Sequence, residues 1–209
     1  MKKIKICFMT FLFLIMFGIL THTGIKILNW EECEYIPKIN VNVIEIEVEK
    51  QVKPEDISYL ISLRSDIGEE TRIKIAKCIV NSAIKYDIDP ILLTSLIDIE
   101  SEWNFKATSP KGAKGLTQIM IDQHSKLLEV RCIDESKIYD IDVNIDLGAQ
   151  ILAFCSQQFE DVNLVLASYN AGIGTIGRFN DIPPYKETIN YVKNVLAMYG
   201  YMTIMLKES

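Results

Sequence analysis

The chain has 209 residues, of which 49% are hydrophobic and 24% are charged, and its formal net charge is -6. This composition is that of a globular protein with room for one domain of ordinary size and an N-terminal appendage. Acidic and basic residues are spread along the chain without a long run of either sign. That pattern excludes the clustered Lys and Arg of a nucleic-acid-binding surface, so we expect no nucleic-acid partner.

The N-terminus has the pattern of an export segment. Three lysines among the first five residues precede an uncharged and nearly all-apolar run from Ile6 to Leu20, which predicts export across a membrane. The residues at 21–23 form a poor cleavage site, and the run is shorter than the ~20 residues that a spanning helix prefers. For residues 1–28 we favour a retained membrane anchor over a cleaved signal peptide, with the rest of the chain outside the cytoplasm.

Residues 29–66 are predicted to form a linker or stalk. Apolar and polar residues alternate from Ile39 to Glu49, and this period of two indicates extended chain rather than helix. Pro54 then opens a short helical stretch, because proline is tolerated in the first turn and the two acids after it suit the positive end of the helix dipole. The globular domain is predicted to occupy residues 67–209.

This domain is predicted to be mainly helical. Apolar residues recur with a helical period over Glu69–Tyr86, and Asp89 with Pro90 supplies a cap and a first-turn proline for a second helix that ends near Glu100. A loop rich in Asn, Ser, Pro and Gly follows, to about residue 115. Further helices are predicted at residues 116–120, 122–130, 143–159, 163–169 and 185–201. Few strand signals interrupt them, so we predict a mainly α fold, a single helical domain with its site in a cleft between helices.

The cysteines and histidines predict no metal site. The five cysteines are Cys7, Cys33, Cys78, Cys132 and Cys155. Their wide, irregular spacing fits neither a zinc site nor a small disulfide scaffold, and it leaves disulfide pairing among the last four open in an exported chain. The two histidines, His22 and His124, stand alone in the sequence, which favours neither a metal site nor a nucleophilic triad.

Glu100 is the best candidate for a catalytic residue. It stands where an apolar helix meets a polar loop that contains Trp103 and Asn104. Partial desolvation at such a place raises the pKa of a carboxyl group toward the range in which it can protonate a leaving group. Asp98 and Glu102, two residues away on either side, would point to other faces of the helix. The sequence therefore predicts a single tuned acid, and Trp103 suits either the core or stacking against a sugar.

Three further clusters follow along the chain. The segment Gly112–Ile119 places two glycines and a glutamine at a loop-to-helix junction, where the backbone can approach a ligand and an amide can both donate and accept. Ala167–Gly172 ends a helix with a Tyr-Asn pair and a capping glycine, and Pro184–Val192 opens the last helix with an acid in its first turn. Taken singly, these features are typical of a turn, a helix stop and a favourable first-turn acid.

Taken together and in this order, the clusters resemble the catalytic domain of the soluble lytic transglycosylases. The resemblance covers residues 67–201 and rests on Asp89-Pro90, Glu100-Ser101, Trp103-Asn104, Ser109-Pro110, Gly112-Ala113, Gly115-Leu116, Gln118-Ile119-Met120, Ala167, Tyr169-Asn170-Ala171-Gly172, Glu187-Thr188 and Tyr191-Val192. It implies a lysozyme-like helical fold. It also implies cleavage of the β-1,4 bond between N-acetylmuramic acid and N-acetylglucosamine in peptidoglycan, with neither metal nor cofactor.

The resemblance assigns roles to individual residues. Glu100 would be the general acid and then the base, Tyr169 would hydrogen-bond its carboxyl group, and Glu187 would sit on the facing side of the cleft. The other residues expected to contact the glycan are Ser101, Ser109, Gln118, Met120 and Asn170. Among the departures from the family pattern is Thr117, which replaces the usual methionine. None of the departures touches the acid, so they concern subsite preference rather than activity.

A single carboxylate is enough if the substrate assists. In the family's reaction Glu100 would protonate the glycosidic oxygen, and the N-acetyl group would assist at the anomeric carbon. The sugar's 6-hydroxyl, deprotonated by the same Glu100, would close a 1,6-anhydro ring without consuming water. Two alternatives stay open: a hydrolytic muramidase in which Glu187 activates water, and a catalytically silent peptidoglycan-binding scaffold. The expected partners are glycan strands and, through the N-terminal segment, the membrane, with cell-wall or secretion machinery as a further candidate.

Overall fold

The computed structural model describes residues 51–208, apart from the side chain of Ser125. The predicted export segment and the alternating stretch at 39–49 lie outside the described residues, and what we predict for them stays a prediction. Within the described range, no helix is both long enough and apolar enough to cross a membrane.

Residues 51–208 form eight α-helices, one short 3-10 helix and one β-hairpin, in agreement with the predicted mainly α class. The α-helices are α1 (Pro54–Ser62), α2 (Glu69–Tyr86), α3 (Pro90–Ser101), α4 (Ile121–Val130), α5 (Ile141–Gln158), α6 (Val162–Ala171), α7 (Ile173–Phe179) and α8 (Lys186–Glu208). The 3-10 helix is Glu135–Lys137, and the hairpin strands are β1 (Ala113–Lys114) and β2 (Ile119–Met120). The two strands are antiparallel, with Ala113 opposite Met120.

The helix that carries the candidate acid begins and ends where the sequence predicts. The Asp89 side chain accepts a hydrogen bond of 2.7 Å from the backbone N–H of Ile91, so it caps the free donors of the first turn, and Pro90 occupies the position where its missing N–H costs nothing. Glu102 follows the last turn of α3 in the left-handed conformation, with φ +48°. This residue stops the helix just after Glu100.

The predicted short helix at residues 116–120 is wrong, because this segment forms the turn and second strand of the hairpin. Gly115 and Gln118 both have positive φ, +76° and +50°, which breaks any helical run between them. A helix that the sequence analysis did not predict, α7, begins directly after Gly172. The two glycines inside α7 weaken its helical signal, since glycine lowers helix propensity by about 1 kcal/mol relative to alanine.

The hydrophobic core includes α1, which the sequence analysis assigned to the linker. Ile57, Leu60 and Ile61 have no exposed surface and belong to the main hydrophobic core, where α1 packs on α2 and α8. Their spacing of three and four residues puts them on one face of the helix. The globular domain therefore begins before residue 67, and the short helix that Pro54 opens is part of it.

The hairpin is fastened to α5 at two glycines. A Cβ at Gly115 would lie 2.2 Å from the side chain of Asn144, and a Cβ at Gly148 would lie 2.5 Å from the side chain of Thr117. Both distances are far shorter than any normal contact between non-bonded heavy atoms. The glycine of the loop is therefore required for close approach to Asn144, whereas the sequence analysis interpreted it as room for a ligand.

We expect the substitution Gly148→Ala to destabilise the domain by about 1–3 kcal/mol, since the new methyl group must displace Thr117 from a packed interface. Gly200→Ala is the matched control. It also lies within a helix, and a Cβ there meets no atom within 4 Å, so it should stabilise by about 0.5–1 kcal/mol through helix propensity. Urea denaturation measures both, and equal effects of the two substitutions would contradict this packing.

Candidate active site

Glu100 and Asp98 face different surroundings, although they are two residues apart on α3. Asp98 is buried and accepts hydrogen bonds from Trp103 Nε1 at 2.6 Å and from the Arg64 guanidinium at 3.2 Å. Trp103 is only 1% exposed, so of its two predicted placements the structure supports the core. Because of these contacts, Asp98 stabilises the end of α3. Of the two acids, Glu100 is therefore the candidate for a catalytic role.

The turn after α3 has a strained backbone. Glu102 and Trp103 both have positive φ, +48° and +68°, and each costs on the order of 1–2 kcal/mol for a residue with a side chain. The Asn104 N–H donates to the Ser101 carbonyl at 2.9 Å, and burial of the Trp103 ring offsets the strain. The chain is thereby turned sharply away from the helix within three residues of Glu100.

Glu100 has the electrostatics of a catalytic acid. Burial raises the pKa of its carboxyl group from 4.5 to about 7, while the Tyr191 hydroxyl acts in the opposite direction by stabilising the charged form. Burial, and after it the nearby charge of Glu100, raises the pKa of both Tyr169 and Tyr191 well above 10. Helices α3, α6 and α8 therefore bring one carboxyl group and two phenols together.

The two tyrosines have different partners. The Tyr169 hydroxyl donates a hydrogen bond of 2.8 Å to the Thr117 carbonyl oxygen, whereas the resemblance implies a bond to the Glu100 carboxyl. Tyr191, rather than Tyr169, stabilises the charged form of Glu100, and its buried hydroxyl makes no hydrogen bond of regular geometry within the described residues. It remains available to the carboxyl group. Tyr191 is not among the site residues predicted from the sequence, although its position one helical turn after Glu187 is a signal for a shared face.

Several of the predicted glycan-binding residues serve the fold through their hydrogen bonds. Ser101 Oγ donates to the Ile97 carbonyl at 3.2 Å, inside α3. Ser109 Oγ accepts from the Ala113 N–H at 3.0 Å and so closes the loop before β1. Their roles in binding glycan stay predictions.

The remaining predicted residues lie along the hairpin and α6. Gln118 is half-buried, and its amide nitrogen donates to the Gly115 carbonyl at 2.8 Å. Met120, also half-buried, ends β2. Asn170 accepts a hydrogen bond of 2.9 Å from Thr188 Oγ1, which joins α6 to α8. These contacts fix the positions of the side chains, and their roles in binding glycan also stay predictions.

Glu187 is held by an ion pair. Its carboxylate accepts hydrogen bonds of 2.8 and 3.0 Å from Lys111 Nζ, which links the loop before β1 to the start of α8. Both side chains are largely exposed, 68% for Glu187 and 72% for Lys111, so the pair contributes about 0–1 kcal/mol to stability. Glu187 is therefore a solvated, paired acid.

Other reactive groups offer no second centre in the described part of the chain. Residues 51–208 contain no group of three His, Cys, Asp or Glu side chains that could hold a metal ion. Cys78, Cys132 and Cys155 are free thiols, and Cys33 lies outside the described residues. Burial raises the pKa of Cys155 to about 11, so this thiol is a small apolar side chain near the tyrosines rather than a nucleophile.

The model of the family described as "Transglycosylase SLT domain" matches residues 77–192, which is more than half of the chain. The chain belongs to the transglycosylase SLT family. The resemblance noted in the sequence is confirmed, and the matched range of this SLT domain contains Glu100, Tyr169 and Tyr191.

Curated relatives of this SLT domain include the soluble lytic murein transglycosylase of Escherichia coli (strain K12), which is 35% identical over 120 residues. The match covers 49% of this chain and 19% of the relative. The transglycosylase of Enterobacteria phage PRD1 is 34% identical over 119 residues, with 57% of this chain and 42% of the relative covered. The chain thus spans about a fifth of the length of the E. coli relative and less than half of the phage one.

Two solved structures have a similar fold. The lytic transglycosylase Slt of Pseudomonas aeruginosa, an inactive mutant, has a TM-score of 0.56 and 26% identity over 63% of this chain and 24% of its own. The 70-kDa soluble lytic transglycosylase in complex with bulgecin A has a TM-score of 0.58 and 28% identity, covering 66% of this chain and 25% of its own. The predicted lysozyme-like fold of the SLT domain is thereby confirmed.

We expect Glu100→Gln to stabilise the domain at alkaline pH. Because the folded-state pKa is raised from 4.5 to about 7, the folded wild type keeps a proton that the unfolded chain has lost between these pH values. Wild-type stability then falls as pH rises through this window, with an upper limit of about 3 kcal/mol. The glutamine of the variant carries no charge at any pH. The variant should match wild type at pH 4 and be more stable at pH 8 by urea denaturation; a constant difference at both pH values would contradict a raised pKa.

The Tyr191 hydroxyl should keep the pKa of Glu100 from rising further. Tyr191→Phe removes the group that stabilises the charged carboxylate, so Glu100 should titrate at higher pH than in wild type. Carbon-13 NMR of labelled glutamate measures this titration. Tyr201→Phe, an exposed tyrosine on the same helix, should leave it unchanged, and a downward shift in Tyr191→Phe would exclude the contact.

Proposed function

We propose that the chain is a peptidoglycan lytic transglycosylase that cleaves the β-1,4 bond between N-acetylmuramic acid and N-acetylglucosamine and releases a 1,6-anhydro product. The observation that carries this proposal is the single carboxyl group at the site. Glu100 is partly buried with a raised pKa, whereas Asp98 is bound to Arg64 and Trp103. The names of the relatives support the same reaction class.

The first step needs Glu100 in its protonated form. With a pKa of about 7, roughly half of the molecules carry this proton at neutral pH, while nearly all carboxyl groups of ordinary pKa have lost theirs. Glu100 donates the proton to the glycosidic oxygen as the bond from that oxygen to the anomeric carbon breaks. The substrate's N-acetyl group assists at this carbon, which removes the need for a protein nucleophile.

The second step needs the carboxylate that the first step creates. Tyr191 stabilises the charged form of Glu100, so the ion persists long enough to accept a proton. It takes that proton from the sugar's 6-hydroxyl, whose oxygen bonds to the anomeric carbon and closes the anhydro ring. Glu100 is then protonated again, and no water has been consumed.

Hydrolysis by a second acid is the weaker candidate. A muramidase needs a base that activates water on the opposite side of the sugar, and Glu187 is the candidate for that role. Its carboxylate is 68% exposed and paired with Lys111, so it lacks the burial that tunes Glu100. The silent scaffold is also disfavoured, since a binding surface alone gives no reason to desolvate a carboxyl group next to two phenols.

The site of action that we propose is the cell envelope. Peptidoglycan lies outside the cytoplasm, and the N-terminal lysines followed by an apolar run predict export. A retained anchor at residues 1–28 would hold the enzyme at the membrane that borders its substrate. Association with cell-wall or secretion machinery is a further part of this proposal.

The test is product analysis on purified peptidoglycan. Wild type should release fragments with 1,6-anhydro ends, detected by mass spectrometry. Glu100→Gln should lower the rate by about 100-fold or more, as expected for loss of a general acid. The wild-type rate should fall as pH rises above about 7, because Glu100 must begin protonated.

Glu102→Gln provides the matched control, since it removes the charge of an exposed neighbouring acid and should leave activity unchanged. Reducing ends without anhydro ends would instead identify a hydrolase. Equal turnover in wild type and Glu100→Gln would exclude the proposed role of Glu100.

A further inference from the structure

A groove of about 960 Å³ lies at the start of α3, whereas Glu100 lies near the end of this helix. Helices α1 and α3 each pack on both α2 and α8, and the groove lies between the last turns of α2 and α8. We call it the α2–α8 groove. From Pro90 to Glu100 the helix rises by about 15 Å, so a molecule in the groove and a substrate at Glu100 do not compete for one place.

One side of the groove is an apolar face of α2 that continues beyond the core. Val80, Ala83 and Ile84 line the groove, and their spacing of three and four residues puts them on one face of the helix. Val80 and Ala83 are buried, whereas Ile84 is 65% exposed. The face that packs in the core therefore extends past it and leaves an isoleucine in water, and covering this side chain would be favourable.

The other side of the groove is formed by α8. Tyr199, Thr203 and Leu206 line it, again with the spacing of one helical face. Ile88 and Ile91, at the start of α3, add aliphatic side chains between the two sides. A groove with apolar side chains on helices is a common receptor for a peptide that inserts its own aliphatic side chains.

The groove carries more negative than positive charge. Its acids are Asp56, Asp87 and Asp89, and Lys207 is the one cation among the described residues that line it. Asp89 accepts hydrogen bonds of 2.7 Å from a backbone N–H of α3 and from the Tyr199 hydroxyl, and these neutral donors leave its charge in place. The Asp87 carboxylate is exposed and makes neither a hydrogen bond nor an ion pair within the described part of the chain. It is therefore available to a cation.

We propose that the α2–α8 groove binds a segment of a partner protein that presents a lysine or arginine beside aliphatic side chains. The cation pairs with Asp87, and the aliphatic side chains cover Ile84. Repulsion between like charges disfavours an acidic segment at the same place. The inference goes beyond the proposed function, because binding in the groove requires neither Glu100 nor turnover.

The test is a nitrogen-15 NMR titration of the full chain with a capped peptide of alternating lysine and leucine. The amide signals of Ile84, Asp87 and Leu206 should shift and reach saturation. The same peptide with glutamine in place of lysine should bind at least ten-fold more weakly, and added salt should weaken the lysine peptide, since the charges concerned are exposed. Equal binding of the two peptides, or shifts confined to residues outside the groove, would overturn the proposal.

Asp87→Asn tests the charge without straining the fold. Asp87 has a φ of +54°, and asparagine is well tolerated in this left-handed conformation. The variant should bind the lysine peptide about two- to five-fold more weakly, as expected for loss of one exposed ion pair. Asp66→Asn is the matched control, because Asp66 is exposed and lies outside the groove. If both variants bind like wild type, the assignment of the cation to Asp87 is overturned.

Ile84→Asn tests the apolar contact. It should weaken binding of the lysine peptide at least five-fold, whereas Ile73→Asn, an exposed position of the same helix outside the groove, should leave it unchanged. Equal effects of the two substitutions would exclude the contact with Ile84.

Spermidine separates a docking segment from a small cation. It supplies positive charge without aliphatic side chains, so it should bind at least ten-fold more weakly than the lysine peptide, and equal binding would overturn the partner assignment. Glu100→Gln should bind the lysine peptide as wild type does. The outcome of this titration is therefore independent of whether the enzyme forms an anhydro product.

Discussion

The side chain of Asn144 is the contact on which one wall of the site depends. Its Oδ1 accepts from the Thr117 N–H at 2.8 Å and from Thr117 Oγ1 at 2.9 Å, while Nδ2 donates to the Lys114 and Ile138 carbonyls at 3.0 and 2.8 Å. A buried amide with all of these bonds made is rigid, and loss of any one would leave a buried polar group unpaired. The hairpin is thereby fixed on α5. Thr117 in turn offers its carbonyl to Tyr169, so the phenol beside Glu100 takes its position from Asn144.

Helix α3 carries two carboxyl groups whose surroundings differ. Asp98 is surrounded by Arg64 and Trp103, and its hydrogen bonds hold the strained turn that ends α3. Glu100, two residues later, meets burial and no cation, so its pKa rises. Two acids of one helix thus differ through their surroundings alone: Asp98 accepts hydrogen bonds that hold the fold, and Glu100 has the raised pKa that its proposed role as proton donor requires. Asp98 also holds the turn in place, because it is the acceptor for both the Trp103 indole N–H and the Arg64 guanidinium.

Structural features that depend on neighbouring residues could be predicted from the sequence. Features that depend on contacts between distant residues could not. The cap at Asp89 and the end of α3 follow from neighbouring residues, as does the exposure of a polar loop after Glu100. The hairpin does not, because its strands are two residues long and it is held by Asn144, which lies 27 residues beyond Thr117. For the same reason Tyr191 could not be predicted as a site residue, because its contact with Glu100 joins α8 to α3. A glycine pattern shows where close approach occurs, but not whether the partner is a ligand or the protein's own side chain.

When one carboxyl group acts first as acid and then as base, its pKa must lie within a narrow range. A higher pKa would increase the fraction of molecules with a protonated Glu100 but would make that proton harder to donate. A lower pKa would make the proton easier to donate but would leave fewer molecules protonated. Hydrolases with two carboxyl groups escape this conflict, since each group can be tuned for one task. Here burial raises the pKa of Glu100 and Tyr191 opposes the rise, with about 7 as the result. The Tyr191 hydroxyl is thus as necessary to the proposed chemistry as the buried position of the acid, since a donor that acts on the charged form makes one residue suitable as acid and base in turn.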